Sequence, residues 1–346
     1  MKDMSLKYSR KEIKVEAERL GFFACGIVPA TPVDDETAAA VRHWISKGSQ
    51  ATMDYMANYT EKRLNPDLLV PGTKSIVSLA MNYAPAQTMP ETEYQLAAYA
   101  YGQDYHDVMK AKLRQLAAFI STRFEGDVAH EQAENNHGRP TNNHEKHTIT
   151  TEKGDNDTAK PTGEIRVFVD TAPVLERYWA QKAGLGWIGK NHQLIIPRAG
   201  SMFFLGEIFL PYEFDSYDSP MPSRCGNCRR CIEACPTCAI TDGWDFDSER
   251  CLSYQLIENR GELSEEAKQS MGSTIYGCDR CQTACPWNKF ATPNTTPEFQ
   301  PKSELLAMTK DDWHNLTIEQ YRALFKGSAV KRVKFDGLKR NISAKE

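Results

Sequence analysis

The chain has 346 residues, 40% of them hydrophobic and 25% charged, with a formal net charge of −4; this composition fits a folded protein of more than one domain and excludes disordered and fibrous classes. Without an overall positive charge, any contact with nucleic acid has to come from a local basic patch. No stretch approaches the roughly 18 uninterrupted apolar residues of a membrane span, and Met1 to Leu20 has neither an apolar signal core nor a twin-arginine pair, so no membrane partner and a cytoplasmic location are expected.

In chain order, Ile13, Val15, Ala17 and Leu20 mark an amphipathic helix, and Phe22–Val28 a short buried strand carrying Cys25, which reads as a small core side chain. Apolar runs at Ser75–Met81, Ile165–Val169, Leu194–Ile196 and Met202–Leu210 predict strands, with helices at Asp35–Ser46 and His106–Ile120. The alternation predicts a first domain of the α/β or α+β class over residues 1–218. Residues 126–163 are polar and include His130, His137, His144 and His147 without tight ligand spacing; a mobile, solvated insertion is expected there. A second domain is expected over 219–290 and a helical segment over 291–346, with one helical pattern from Leu305 to Phe325. The tail carries Lys326, Lys331, Arg332, Lys334, Lys339 and Arg340, for which a solvated helical face is the simplest reading.

The cysteines carry the strongest signal. Cys225, Cys228, Cys231 and Cys235 are spaced C-x2-C-x2-C-x3-C and followed by Pro236, the bacterial ferredoxin run, in which three thiolates hold one cubane and the fourth serves the other. Cys278, Cys281 and Cys285, followed by Pro286, repeat the run with Ile275 where its first cysteine would stand. The crossing pattern assigns Cys225, Cys228, Cys231 and Cys285 to one 4Fe–4S cluster, and Cys235, Cys278 and Cys281 to another that lacks one ligand. Cys251 is the best candidate for that vacancy. Cys238 competes, but it stands so close to Cys235 that the turn would have to bend both thiols onto one centre. Paired structural zinc sites are the alternative, and the repeated C-x3-C-P ending argues against them.

Two clusters form a path for single electrons, and the larger first domain is expected to hold the acceptor and the substrate. No G-x-G-x-x-G follows a strand; Gly184-Leu185-Gly186-Trp187-Ile188-Gly189-Lys190 follows a helical pattern instead and reads as a turn packed closely against a ligand or another segment. The strand Ile165–Val169 ends on Asp170, where an α/β sheet commonly presents a catalytic carboxylate. Taken alone, Asp170 is a turn or cap residue, because Thr171-Ala172-Pro173 looks like a helix start.

Longer words carry a resemblance. Phe168 to Glu176 (FVDTAPVLE), Ala183 to Asn191 (AGLGWIGKN), Ala199 to Glu207 (AGSMFFLGE), Arg250 to Tyr254 (RCLSY) and Tyr276 to Gln282 (YGCDRCQ) closely resemble epoxyqueuosine reductases, over Gly21 to about Ile342. The resemblance implies a cobalamin-binding, nitroreductase-like α/β domain followed by a two-cluster ferredoxin-like domain. It implies reduction of epoxyqueuosine to queuosine in the anticodon loop of tRNA, using cobalamin and two 4Fe–4S clusters. It also supports Cys251 as the eighth ligand and matches Asp170 to the family's proton donor, a role that suits an epoxide whose opening oxygen needs a proton. A site facing an apolar ring is expected to raise the proton affinity of Asp170.

Arg63 falls in a stretch, Tyr59 to Pro66, that resembles the family's cobalamin-contacting region, with Asn191, Gln193, Ser201 and Ser253 as further implied contacts. Asp104-Tyr105-His106 begins like a cobalamin-binding D-x-H-x-x-G motif, but Met109 replaces the glycine, so His106 is expected in a capping or core role. The implied partners are tRNA and an external low-potential donor of flavodoxin or ferredoxin type, acting on a monomer. Some relatives continue into C-terminal helical repeats, so tRNA contact is expected on the main body and basic tail. Another corrinoid reductase, of the reductive dehalogenase kind, and a simple electron carrier are the competing readings.

Overall fold

The computed structural model describes residues 10–135, 163–242 and 245–345, with the side chains of 124–135 excepted. Helix α1 (Arg10–Arg19) leads to β1 (Ala24–Pro29), α2 (Asp35–Ser46) and β2 (Ser75–Asn82). After the short β3 (Gln95–Leu96), the long helix α3 (Tyr105–Asn135) precedes β4 (Arg166–Phe168), α4 (Glu176–Lys182), β5 (Trp187–Ile188), β6 (Leu194–Ile195) and β7 (Phe203–Leu210).

Four of these strands make one sheet in the order β1-β2-β7-β4, antiparallel at every pairing. Its central strands are mostly apolar and almost wholly buried, because both faces are covered. Val77, Leu79, Ile208 and Leu210 pack with α1 and α3, whereas Ile76, Ala80, Leu205 and Phe209 pack with Ala38 of α2 and Trp179 of α4. The alternation follows the two-residue period of a strand. The result is a three-layer α+β unit whose edge strand, β4, ends beside Asp170.

The long helix passes the end expected at Ile120 and takes in the beginning of the polar segment, as far as Asn135. The rest of that segment, with His137, His144 and His147, lies outside the described residues. The helix expected to start at Thr171 begins only at Glu176, after a loop.

The C-terminal part contains α5 (Arg230–Glu233), α6 (Leu252–Ile257), β8 (Thr274–Tyr276) and α7 (Arg280–Thr283). The single helical pattern from Leu305 to Phe325 is three helices, α8 (Ser303–Leu306), α9 (Lys310–His314) and α10 (Ile318–Leu324). Thr309 with Asp312, and Thr317 with Gln320, form capping boxes that restart the helix each time. The last helix is α11 (Lys334–Ser343). Strand β3 pairs parallel to β8, and Met89, Tyr94 and Leu96 join Trp313, Tyr321, Phe325 and Leu338 in a third core. Segment 89–101 therefore ties the sheet domain to the C-terminal part. Among the described residues no helix is long and apolar enough to cross a membrane.

Gly26 of β1 lies directly against the start of the glycine-rich turn after α4. A Cβ there would stand 2.0 Å from the Ala183 carbonyl oxygen and 2.7 Å from the Leu185 side chain. Gly26→Ala is therefore expected to destabilise the fold by about 1–3 kcal/mol or more, read as a lower midpoint in denaturant unfolding.

Candidate functional site

Asp170 follows the edge strand and adopts a left-handed backbone, φ 56°, a conformation that costs a non-glycine residue energy and needs support. Its N–H donates to the carboxyl of Glu176 at the start of α4. Its side chain accepts from the Tyr105 hydroxyl at 2.7 Å and pairs with His106 Nε2 at 3.1 Å. The other ring nitrogen of His106, Nδ1, lies 2.7 Å from Asp104, which also accepts from the His106 N–H. Tyr105 is stacked on Phe204 of β7, ring centres 4.4 Å apart and 3° from parallel. The imidazole and the phenol are thus aimed at one carboxylate that remains 58% exposed.

The electrostatics differ from the sequence expectation. Burial alone would raise the Asp170 carboxyl, but hydrogen bonds from His106 and Tyr105, with the charges of His106 and Arg177, outweigh it and hold it below the ordinary range. The raised carboxyls are its neighbours. Burial, reinforced by the charge on Asp170, pushes Glu176 up, and burial followed by the charge on Glu176 pushes Glu207 well up. Glu207 sits in the middle of the sheet, fully buried, with the Ser78 hydroxyl 3.3 Å from Oε1 and no partner on Oε2. For His106, burial opposes the charge; bonds to Asp104 and Asp170 overcome it and raise the imidazole to about 9. With both ring nitrogens engaged by carboxylates, His106 takes neither the capping role, which Asp104 fills, nor a core role.

Arg63 is buried, donates to the Tyr55 carbonyl at 3.3 Å, and leaves Nε without a partner. Burial lowers its proton affinity, and Glu176 lies within electrostatic reach. Arg63 therefore belongs to the Asp170 corner.

The thiols form two groups. Cys225, Cys228, Cys231 and Cys285 line one cavity of about 110 Å³. Cys281 lies within electrostatic reach of Cys278, Cys251 and Cys235, and Cys251 of Cys235. Cys238 is exposed, at φ 50°, and lies within electrostatic reach of Arg250. All ten cysteines are free thiols. Among the described residues no three His, Cys, Asp or Glu converge tightly enough for a single metal ion. Tetrahedral zinc would hold thiolates roughly 3.8 Å apart, whereas a cubane spreads them over four iron corners. Backbone N–H groups of Ser253 and Tyr254 act to lower the proton affinity of the Cys251 thiol, and those of Trp287 and Asn288 that of Cys285. The Ala239 N–H donates to Cys235 Sγ at 3.3 Å.

The glycine-rich turn braces both groups. Lys190 Nζ donates to the carbonyls of Gly226 (2.9 Å) and Cys228 (3.1 Å), and Asn191 Nδ2 to that of Cys281 (3.3 Å). Gln193 donates its N–H to Asn191 Oδ1 at 3.3 Å. Ser201 is buried and bonded to Asn288 and Gln282, which secures the Cys281–Cys285 run. Asn191, Ser201 and Ser253 therefore lie with the thiols and Arg63 with Asp170. Sequence reasoning passed over Tyr105, Glu176 and Glu207. The one signal available was that two of them, Glu176 and Glu207, stand inside the same family-like words as Asp170 and the phenylalanines of β7.

Comparison with known proteins narrows this arrangement. A profile described as a 4Fe-4S double cluster binding domain matches residues 224–288, and one described as "Epoxyqueuosine reductase QueG, DUF1730" matches residues 63–133. A fold that joins such a module to an acid and imidazole corner defines an iron–sulfur oxidoreductase. An epoxyqueuosine reductase of Cellulophaga algicola is 40% identical over 95% of this chain and 95% of its own. That of Leadbetterella byssophila is 41% identical over 96% and 97%, and that of Escherichia coli K12 34% identical over 98% and 81%. A crystal structure of epoxyqueuosine reductase with a tRNA-Tyr epoxyqueuosine-modified stem loop superposes with a TM-score of 0.79 at 25% identity, covering 97% of this chain and 80% of that one. The chain belongs to the epoxyqueuosine reductase family.

The His106 pairing has a pH signature. Its folded value, about 9, lies above the ordinary 6.5, so the pairing contributes stability that is complete below the ordinary value and is lost as pH rises through about 9. An NMR titration of the His106 imidazole is expected to find its midpoint near 9, and Asp170→Asn to bring it down towards the ordinary value.

Proposed function

We propose that this protein reduces the epoxide of epoxyqueuosine in the anticodon loop of tRNA to the alkene of queuosine. The reaction consumes two electrons and two protons and releases the epoxide oxygen as water. The observation that carries the reading is the Asp170 carboxylate, exposed on one side and held by Tyr105 and His106 on the other. An opening epoxide develops charge on oxygen, and a positioned acid that neutralises it typically contributes 10²–10⁴-fold. Asp170 is ionised at rest, so the mobile proton is stored on the His106 imidazolium and reaches the substrate through the carboxylate it pairs with. Glu176 and Glu207, both held neutral by burial, keep further negative charge away from the loop, and Glu176 fixes its backbone.

The donor sets support the two cluster assignments: Cys225, Cys228, Cys231 and Cys285 for one, and Cys235, Cys251, Cys278 and Cys281 for the other. Trp187 is fully buried beside Cys285 and its indole N–H has no partner, which suits an acceptor-rich group such as a sulfide cluster. The half-satisfied, buried Arg63 suits an amide- and phosphate-bearing ligand, and supports cobalamin near the Asp170 corner. Bound there, cobalamin would supply the low-potential metal chemistry that carbon–oxygen reduction requires, while the clusters supply electrons singly. We further infer a cytoplasmic monomer served by an external flavodoxin- or ferredoxin-like donor. Arg332, Lys339 and Arg340 bond to Glu258 and to backbone carbonyls, so tRNA contact by the tail falls to Lys326, Lys331 and Lys334, which are exposed.

Two measurements test this. Under anaerobic conditions Asp170→Ala is expected to lower conversion of epoxyqueuosine in tRNA at least 10²-fold with cluster absorbance unchanged; undiminished turnover contradicts the acid role. Cys251→Ser is expected to lose about half of the eight irons of two 4Fe–4S clusters, and Cys238→Ser none, by iron analysis; the reverse pattern would reassign the ligand.

A further inference from the structure

A second cavity, of about 420 Å³, opens beside the first thiol group and is lined by Arg198, Arg224, Pro286, Trp287, Lys289 and Phe290. Arg224, Pro286 and Trp287 also line the cavity of Cys225, Cys228, Cys231 and Cys285, so one wall separates the outer hollow from that cluster position. Trp287 meets the buried Trp187 edge to face, ring centres 4.9 Å apart, and Trp187 in turn packs on Cys285. An aromatic pair thus runs from the hollow to the thiols.

The rim is cationic although the chain is acidic overall, net −4. Arg198, Arg224 and Lys289 are all exposed, and none makes an ion pair among the described residues. Lys289 lies over the Phe290 ring, 4.8 Å from its centre, and Phe290 is 41% exposed. An apolar floor with unpaired charges at its edge is the composition of a weak, electrostatically guided protein interface. The edge is also held in place. Arg198 sits at φ 58° in the turn closed by the Ile196–Gly200 bridge, and Gly200 packs so tightly on Asn288 that a Cβ would lie 2.1 Å from its side-chain oxygen.

The opposite thiol group faces the catalytic corner. Cys251 caps α6, where Tyr254 bonds to Thr52 at 2.7 Å. Glu258, at the end of that helix, pairs with Arg332, which lies over the Tyr55 ring; Tyr55 is within electrostatic reach of Asp170. The second group is thus the one linked by contacts to the Asp170 corner, and the first is the one beside the outer hollow.

We propose that the hollow between Arg198, Lys289 and Phe290 is the docking surface for the external electron carrier, a small acidic one-electron protein of the flavodoxin class. This rests on the electron-fed reduction proposed above. Each docked carrier loses one electron and the adjacent cluster gains it, so two docking events serve each epoxide reduced. Cationic rims of this kind speed association and make it salt-dependent.

The test uses the cluster-loaded full-length protein and a purified acidic flavodoxin, chemically reduced, with cluster bleaching followed by stopped flow and no tRNA present. Wild-type reduction is expected to slow steeply as salt is added. Arg198→Asp with Lys289→Glu is expected to lower the flavodoxin-dependent second-order rate at least tenfold, with iron content and the rate with dithionite unchanged. Arg198→Lys with Lys289→Arg is expected to retain the wild-type rate. A salt-independent wild-type rate, or an unaltered rate in the charge-reversed variant, overturns the proposal. So does a charge-reversed variant that loses affinity for tRNA while flavodoxin still reduces it normally, since the surface would then be a nucleic-acid contact. If flavodoxin reduces the clusters as expected but epoxyqueuosine is never converted, the docking surface stands and the proposed reaction fails.

Discussion

Removing a thiol from water raises its affinity for its proton, and burial does this to Cys251, Cys278, Cys281 and Cys285 alike. Thiolates crowded together also repel one another. Neither group is therefore stable as bare charge, and both call for cationic iron, so that cluster binding and the fold of this region are linked. The protein offsets part of the cost with backbone N–H groups directed at sulfur and with Lys190 and Asn191, which tie both cysteine loops to the sheet domain. Segment 89–101 adds a second tie through β3 and β8. The position of the two thiol groups relative to the sheet domain follows from these few connections.

The Asp170 corner obeys the same physics with different groups. Three carboxyls, Asp170, Glu176 and Glu207, stand close enough to influence one another. Only Asp170 has a cationic partner, His106, with the Tyr105 hydroxyl beside it, so it alone carries charge, while the other two remain neutral. The left-handed backbone of Asp170 is held by one of those neutral carboxyls. Proton storage on His106 and loop geometry are consequently coupled through a single residue, and desolvation by a bound ligand acts on both at once.

Much of this was legible in the sequence. The mainly apolar runs of β2 and β7 marked them as strands, and the spacing of Cys225 to Cys235 suggested the grouping that sets Cys285 at one cavity with Cys225, Cys228 and Cys231. Asp170 was legible as a strand-end carboxylate within a family-like word. Its partners were not. Tyr105 and His106 lie 65 and 64 residues away, and no local pattern specifies a contact over that distance. Glu207 lay hidden in a strand, where the period of two gives a side chain its face but not its charge state. The single apolar pattern from 305 to 325 hides a split into three helices, whose local signal is Thr309 with Asp312 and Thr317 with Gln320, each pair a helix start.

The most direct test of the whole account is a single-turnover reaction of the cluster-loaded protein, reduced chemically and then freed of reductant, with epoxyqueuosine-containing tRNA and with or without added cobalamin. Nucleosides are quantified by mass spectrometry and cluster oxidation by absorbance. The account predicts queuosine only in the cobalamin-loaded sample, with two electrons withdrawn from the clusters for each queuosine formed. Equal conversion without cobalamin, or conversion that leaves the clusters reduced, would contradict it.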